Sequence, residues 1–299
     1  MNGILNIIKP TGMTSHDVVY KVRKKLGIKK VGHTGTLDPN ASGVLPICVG
    51  QATKISRFLL EKEKAYRTTC RLGMVTDTQD LDGKVLAEKP VRVTKEDVEK
   101  ALTHFSPGYD QLPPMYSALK VGGKKLYEYA REGIEVPRDK RPVELKKLEL
   151  LDFGERDFSL EVVCSKGTYI RTLCHDIGEK LKTGGVMAAL ERTVSGPFTI
   201  EQGILLEDLL QMEKEEIKER LFPVDYPLKD YPKYQVEKGR EKLALNGNKM
   251  PLDPEKFPEP RDCREKPQYR IYLDQRFIGI GEIIREESSL KMKFVKVIL

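Results

Sequence analysis

Gly32-His33-Thr34-Gly35-Thr36-Leu37-Asp38-Pro39-Asn40-Ala41-Ser42-Gly43-Val44-Leu45 is the stretch that decides how this chain is read. Three glycines, a proline and four short hydroxyl or amide side chains exclude a long helix or a regular strand, because glycine loosens the backbone and proline removes a donor. A shaped loop is expected instead. Asp38 precedes Pro39, which biases its backbone toward the extended region. The apolar run from Val44 to Val49 reads as a buried strand. The loop therefore sets a carboxylate on a stiff turn beside the core, where it either closes an Asx-type turn on its own backbone or faces a partner.

Upstream, Gly3 to Ile8 reads as a short apolar strand ending in the turn Lys9-Pro10-Thr11-Gly12. Ser15 is placed to cap a helix whose apolar stripe is Val18, Val19, Val22 and Leu26, and Gly27 is placed to close it. The opposite face carries Lys21, Arg23, Lys24 and Lys25, which fits either a solvated surface or a nucleic-acid contact. Downstream, Ala52 to Leu60 is a short helix, and Ala65 to Leu72 is a strand with Tyr66, Thr68, Cys70 and Leu72 on one face. Asp77 to Gly83 is a polar turn, and Thr94-x-x-Asp97 is a capping box opening a helix through Phe105. Tyr116 to Pro142 is basic and interrupted by glycine, so it is expected to be a mobile insertion, helical only near Leu126 to Arg131.

Val143 to Phe153 and Phe158 to Ser165 alternate as strands and form a hairpin through Gly154. Thr168 is placed to cap a helix with the stripe Ile170, Leu173, Cys174, Ile177 and Leu181. Arg171 lies in its first turn, off the stripe, where the helix dipole disfavours a cation unless an anion waits nearby. A solvated arginine is the other local reading. Leu205 to Leu221 is expected to be one acidic, amphipathic helix. The proline-rich run from Phe222 to Pro232 marks a boundary that divides residues 1–228 from 229–299. Beyond it, Asn246-Gly247-Asn248 is a turn, and Tyr269 to Leu273, Arg276 to Arg285 and Leu290 to Ile298 are strands.

Composition narrows the function classes. The 299 residues are 39% hydrophobic and 32% charged, a globular balance with no repeat period and no low-complexity tract. No run approaches the length of a membrane span and no secretory leader is visible, so a cytoplasmic location is expected. The five cysteines contain no C-x-x-C pair and read as reduced packing residues, with no zinc site and no disulfide framework. The net charge of +7 is concentrated: residues 1–31 hold seven Lys or Arg against Asp17 alone. Such asymmetry suits a polyanion bound on one face. The chain lacks a Walker lysine pattern, a dinucleotide fingerprint and metal-ligand spacing among its four histidines.

The loop string closely resembles the signature of the TruB family of tRNA pseudouridine synthases. Lys64-Ala65-Tyr66, Gly167-Thr168-Tyr169-Ile170-Arg171, and Ala188 to Thr193 followed by Ser195-Gly196-Pro197-Phe198 resemble further family motifs in the same order. Phe277 to Ile283 is similar to the final hairpin of a PUA domain, a small RNA-binding barrel. The resemblance implies an α/β (α+β) pseudouridine synthase fold with a mixed, mainly antiparallel sheet flanked by helices. It also implies a small C-terminal β-barrel of PUA type in residues 229–299, and an insertion at 116–142 comparable to one that folds over bound RNA. The implied activity is isomerisation of uridine 55 in the T-loop of tRNA to pseudouridine. The T-arm of tRNA is the implied partner, with no cofactor, no metal, no membrane and no obligate protein partner. Residue by residue, the resemblance makes Asp38 the catalytic carboxylate, Arg171 its partner and Tyr66 a candidate for proton transfer. It makes His33, Tyr66, Tyr169 and Leu190 substrate contacts, and Lys9-Pro10 a structural support.

The chemistry asks for such residues. The N1 to C1′ bond must break and the base must rejoin through C5, which calls for a carboxylate at the sugar carbon. A guanidinium beside that carboxylate keeps it ionised and fixes its direction. The uridine must also leave its stack, at a cost that aromatic and apolar side chains offset. Three rivals are weaker. A non-catalytic RNA-binding protein needs no concerted Asp38, Tyr66 and Arg171; a guide-RNA-dependent relative is expected to carry a larger C-terminal domain; an aspartyl-phosphate enzyme is expected to show D-x-D, which Asp38-Pro39 lacks.

Overall fold

β1 (Gly3–Lys9) opens the chain with nearly every side chain buried and leads through Pro10 to Met13 into α1 (Ser15–Leu26). The structure is a computed structural model that describes residues 1–253, 256–257, 267–286 and 289–298, so Cys263 lies outside the described residues. Val18, Val19 and Val22 are poor helix formers, so α1 is held by burial of its stripe, each side chain contributing about 1.5–3 kcal/mol. Gly27 closes the helix in the left-handed region at φ 72°, as expected. The cap differs from the expectation. Thr14, not Ser15, is the N-cap: its hydroxyl accepts from Asp17 N while the Asp17 carboxylate accepts from Thr14 N. Ser15 is buried, and its hydroxyl donates to Leu37 O at 3.1 Å and accepts from Leu37 N at 2.8 Å.

β2 (Val31–His33) and β3 (Ser42–Val49) bracket the glycine-rich loop and pair antiparallel. A 3-10 turn at Gly50–Ile55 and α2 (Ser56–Leu60) replace the single helix expected at 52–60. β4 (Lys64–Leu72) follows, then β5 (Met74–Thr76) and β6 (Val85–Glu88) on either side of the polar turn. α3 (Lys95–Leu102) begins with the Thr94/Asp97 capping box, and β7 (Gly108–Gln111) leads into the basic insertion. That segment holds a small hairpin, β8 (Lys120–Val121) and β9 (Lys124–Lys125), and α4 (Leu126–Arg131), where helix was expected. β10 (Arg141–Phe153) and β11 (Asp157–Cys164) form the expected hairpin.

α5 (Ile170–Lys180) buries Ile170, Leu173, Cys174 and Ile177. Thr168 does not cap it; the Thr168 hydroxyl donates to Ser165 O at 2.9 Å, and the N-cap is Tyr169, whose N–H donates to Gln111 Oε1 at 2.8 Å. β12 (Gly185–Ser195), β13 (Phe198–Thr199) and β14 (Ile204–Leu205) complete the large sheet. The single helix expected from Leu205 to Leu221 is two, α6 (Leu206–Gln211) and α7 (Lys214–Glu219). Met212 is extended at ψ 149°, and the Glu213 backbone N–H donates to the Glu216 carboxylate, which restarts the helix. Beyond the prolines come β15 (Lys233–Gln235), α8 (Glu241–Leu245), β16 (Met250–Pro251), β17 (Gln268–Leu273), β18 (Arg276–Glu286) and β19 (Ser289–Val297).

The large sheet runs β14-β1-β3-β12-β4-β11-β10-β7, with β2 beside β3 and β13 beside β12. Only the β1/β14 and β3/β12 pairs are parallel, so the sheet is mixed and mainly antiparallel. β3 and β12 share just two Cα pairs, Ser42 with Glu191 and Gly43 with Arg192. One face of the sheet packs Leu5, Ile7, Leu45 and Ile47 with Val22 of α1, Leu173 and Ile177 of α5, and Leu209 of α6. The other face packs Ile4, Val44 and Cys48 against Phe58, Leu59, Leu228, Ile280 and Ile298. The C-terminal strands form a curled sheet of order β15-β17-β18-β19-β16 around Tyr234, Ile271, Ile278 and Met292, consistent with a PUA-like module. No helix among the described residues is long and apolar enough to cross a membrane.

Ser15→Ala removes both bonds to Leu37 and leaves a buried N–H and C=O without partners, an expected loss of about 2 kcal/mol. Thr14→Ala removes an exposed cap and is expected to lose about 1 kcal/mol. Urea unfolding of the two variants separates them, and a larger loss at Thr14 contradicts the assignment of Ser15 to the loop.

Candidate active site

The loop buries Thr34, Leu37 and Ala41, and the polar backbone groups it takes from water need partners outside any ladder. Here neighbouring elements supply them on both sides of Asp38. Ser15 of α1 holds both polar groups of Leu37. Pro39 O accepts from Gly12 N at 2.9 Å and from the Lys9 ammonium at 3.0 Å. Asp38 O accepts from Ala41 N at 3.1 Å, which closes the turn. Gly35 O accepts from Arg192 Nη2 at 3.1 Å, and Val44 O from Arg192 Nε at 2.7 Å. Gly43 sits at φ 103°, and a Cβ there would lie 2.2 Å from Arg192 O, so the residue must be glycine.

With its backbone held, the Asp38 carboxylate projects toward α5 instead of closing an Asx turn. Arg171 Nε lies 3.0 Å from Asp38 Oδ2, and the two side chains are 11% and 37% exposed. The first-turn arginine that local reading left open therefore has its anion. Its other donors are also engaged: Nη1 reaches Thr78 O at 3.2 Å and Asp80 Oδ2 at 3.5 Å, and Nη2 reaches Tyr116 O at 3.0 Å. Arg171 thus joins the Asp38 loop, the β5–β6 turn and the start of the insertion. Burial raises the Asp80 carboxyl above its ordinary range, opposed by a hydrogen bond from the Thr78 hydroxyl and by the Arg171 charge.

Tyr66 and Leu190 share one face of the sheet, on adjacent strands. Tyr66 of β4 pairs with Arg192 of β12, and Leu190 pairs with Thr68. Tyr66 is buried, which pushes its phenol up, while the Arg192 guanidinium opposes that rise through charge and hydrogen bonding. Tyr169 is half-buried at the start of α5, its backbone fixed by Gln111, which also donates from Nε2 to Tyr169 O at 3.0 Å. His33 ends β2; burial and the Arg192 charge favour its neutral ring, and its Nδ1 is buried without a hydrogen-bond partner among the described residues. Asp38 is paired with Arg171 and its charge acts on both Tyr66 and Tyr169, so these four converge, with Leu190 on the same face as Tyr66. The arrangement presents a fixed, partly open carboxylate beside a buried phenol, which is what covalent or electrostatic work at a sugar carbon followed by proton transfer needs.

Residues 23–170 match the N-terminal domain of TruB family pseudouridylate synthases, and residues 171–229 match the tRNA pseudouridylate synthase B C-terminal domain. The chain is 48% identical to tRNA pseudouridine synthase B of Alkaliphilus oremlandii, covering 100% of this chain and 98% of that one. It is 46% identical to the protein of the same name in Clostridium perfringens, covering 98% of each. The chain belongs to the TruB family of pseudouridylate synthases. Its fold is similar to a chain of a Cbf5-Nop10-Gar1 complex, with a TM-score of 0.76 at 26% identity over 99% of this chain and 85% of that one. A chain of an H/ACA RNP bound to a substrate RNA containing 2′-deoxyuridine gives a TM-score of 0.73 at 23% identity, covering 99% and 85%, and shows the fold alone.

On this TruB-family scaffold, sequence reasoning missed three residues that hold the site. Asp80 is one of several acids in a turn, and nothing local marks it. Gln111 carries no motif. Arg192 lies within a segment already singled out, and strand parity offered a signal: it is two residues from the half-buried Leu190, so it points to the same inner face.

Lys9 is fully buried, donating to Pro10 O, Met13 O and Pro39 O, and burial pulls its ammonium down to about 8 against the attraction of Asp38. The unfolded chain holds that proton up to the ordinary lysine range near 10.5, so it binds more protons than the folded state between those values. This group therefore makes stability rise with pH across that window. Lys9→Met removes the contribution: between pH 8 and 10, wild type is expected to gain more in urea midpoint than the variant. An equal change in both contradicts the assignment.

Proposed function

We propose that this chain isomerises uridine 55 in the T-loop of tRNA to pseudouridine, with residues 1–228 performing the chemistry and 229–299 contacting RNA, in the cytoplasm. The observation that carries the proposal is the Asp38–Arg171 pair at 3.0 Å, set on a loop clamped at both of Asp38's neighbours. The relatives' common name, tRNA pseudouridine synthase B, supports tRNA as the substrate.

In the proposed sequence the target base leaves its stack and enters beside Tyr66, with Tyr169, Leu190 and His33 around it. Asp38 attacks or stabilises the sugar as the N1 to C1′ bond breaks. Arg171 holds the carboxylate in its ionised form and in direction. The base turns, C5 bonds to C1′, and C5 loses its proton while N1 gains one, so nothing is oxidised or hydrolysed. Tyr66 is the proposed group for the C5 proton. The T-arm backbone is proposed to lie on the basic side of the chain, where α1 presents Lys21, Lys24 and Lys25, with the basic stretch from Lys120 to Lys147 beside the bound strand.

Tritium release from C5 of uridine in an unmodified tRNA transcript tests the reading directly. Wild type is expected to release it with no added metal or nucleotide, and Asp38→Asn is expected to release none while binding tRNA within about threefold of wild type, because one neutralised carboxylate removes chemistry and not phosphate contacts. Normal turnover by Asp38→Asn removes the carboxylate from the mechanism. Binding without release by both proteins favours a non-catalytic RNA-binding protein. Arg171→Ala is expected to lower turnover more than affinity, and a pure affinity defect contradicts its role.

A further inference from the structure

We propose that Arg192 is a positioning residue of the isomerisation, holding the Tyr66 oxygen as an acceptor and favouring the phenolate that takes the proton from C5. This rests on the reading of Tyr66 as the proton-transfer group. Tyr66 and Arg192 are direct partners across the antiparallel β4–β12 pair, so their side chains leave the sheet on the same face about 5 Å apart at Cβ. Arg192 is 1% exposed, and the described ion pairs include none to it, although a buried cation ordinarily requires an anion. Two of its donors are fixed on backbone, Nε on Val44 O and Nη2 on Gly35 O. The Arg192 charge acts on the Tyr66 phenol and opposes the rise that burial imposes on it.

The direction of a hydrogen bond between the two side chains follows from chemistry. A guanidinium donates and never accepts, so the Tyr66 oxygen is the acceptor and its proton is left for another partner. A phenolate at that place supplies the anion that Arg192 otherwise lacks. The proposed step balances without an oxidant or reductant. Tyr66 gives its proton to water, then takes the C5 proton as the C5–H electron pair returns to the ring, and N1 gains a proton from water. Because Arg192 also grips Gly35 and Val44, the same side chain sets the proton acceptor relative to the loop that carries Asp38.

Single-turnover rates against pH on an unmodified tRNA transcript test this, with tRNA affinity and thermal melting measured alongside. Arg192→Gln is expected to lower the rate near neutral pH about 100-fold, the scale of a lost proton-transfer contribution. Its rate is expected to keep rising with pH beyond the point where wild type levels off, because more base is needed to ionise Tyr66. Arg192→Lys keeps a charge but not the fork, and is expected to show a smaller loss and a smaller shift in the same direction. In Tyr66→Phe, adding Arg192→Gln is expected to cost several-fold less than it does in wild type, the remainder being the hold on Gly35 and Val44. Equal losses in both backgrounds, or a loss with an unshifted pH profile, make Arg192 purely structural and overturn the proposal. If Arg192→Gln does not fold, the pH profile of Arg192→Lys decides alone, an unshifted profile overturning it. Tyr66→Phe at the wild-type rate instead overturns the reading of Tyr66 itself, and the proposal with it.

Discussion

A partly buried loop with no ladder of its own must find partners for its amides and carbonyls mainly in its neighbours, and that requirement organises the region around Asp38. Around Asp38 the partners come from β1 (Lys9), the β1–α1 turn (Gly12), α1 (Ser15) and β12 (Arg192). None of these donors belongs to the loop. The precision of the carboxylate is thus a property of the surrounding elements, and the loop's glycines and proline serve to let those elements approach.

The same donors shape the electrostatics. Lys9, Lys64 and Arg192 are all buried, and their hydrogen bonds go to carbonyl groups: Lys64 donates to Leu60 O and Lys62 O, and burial brings its ammonium down to about 8. Desolvated cations held by carbonyl dipoles project a positive potential that solvent does not screen. Asp38 acts on Lys9, and it and Asp80 are paired with a fourth cation, Arg171.

The sequence made the strands, the α1 stripe and the loop legible, because periodicity and glycine–proline chemistry are local. The resemblance also pointed to Asp38, Tyr66 and Arg171, which the structure brings together from β2–β3, β4 and α5. What sequence could not show depends on competition between neighbours or on distance along the chain. Thr14 and Ser15 are equally good caps on paper, and only the position of Leu37 assigns Ser15 elsewhere. Thr168 bonds backward to Ser165, while Gln111, far away in sequence, takes the free amide of α5. The break at Met212 leaves no apolar signature, since both halves of that segment keep the same amphipathic pattern.

The short contact between β3 and β12 has a mechanical meaning. The ladder of the large sheet narrows there to two residue pairs, and the candidate site straddles that line: Asp38 lies between β2 and β3, while Tyr66, Arg171 and Arg192 lie on β4, α5 and β12. Two guanidinium bridges cross that line, Arg171 to Asp38 and Arg192 to Gly35 and Val44. Side chains, and not only the ladder, therefore tie the segment that carries Asp38 to the strand that carries Tyr66.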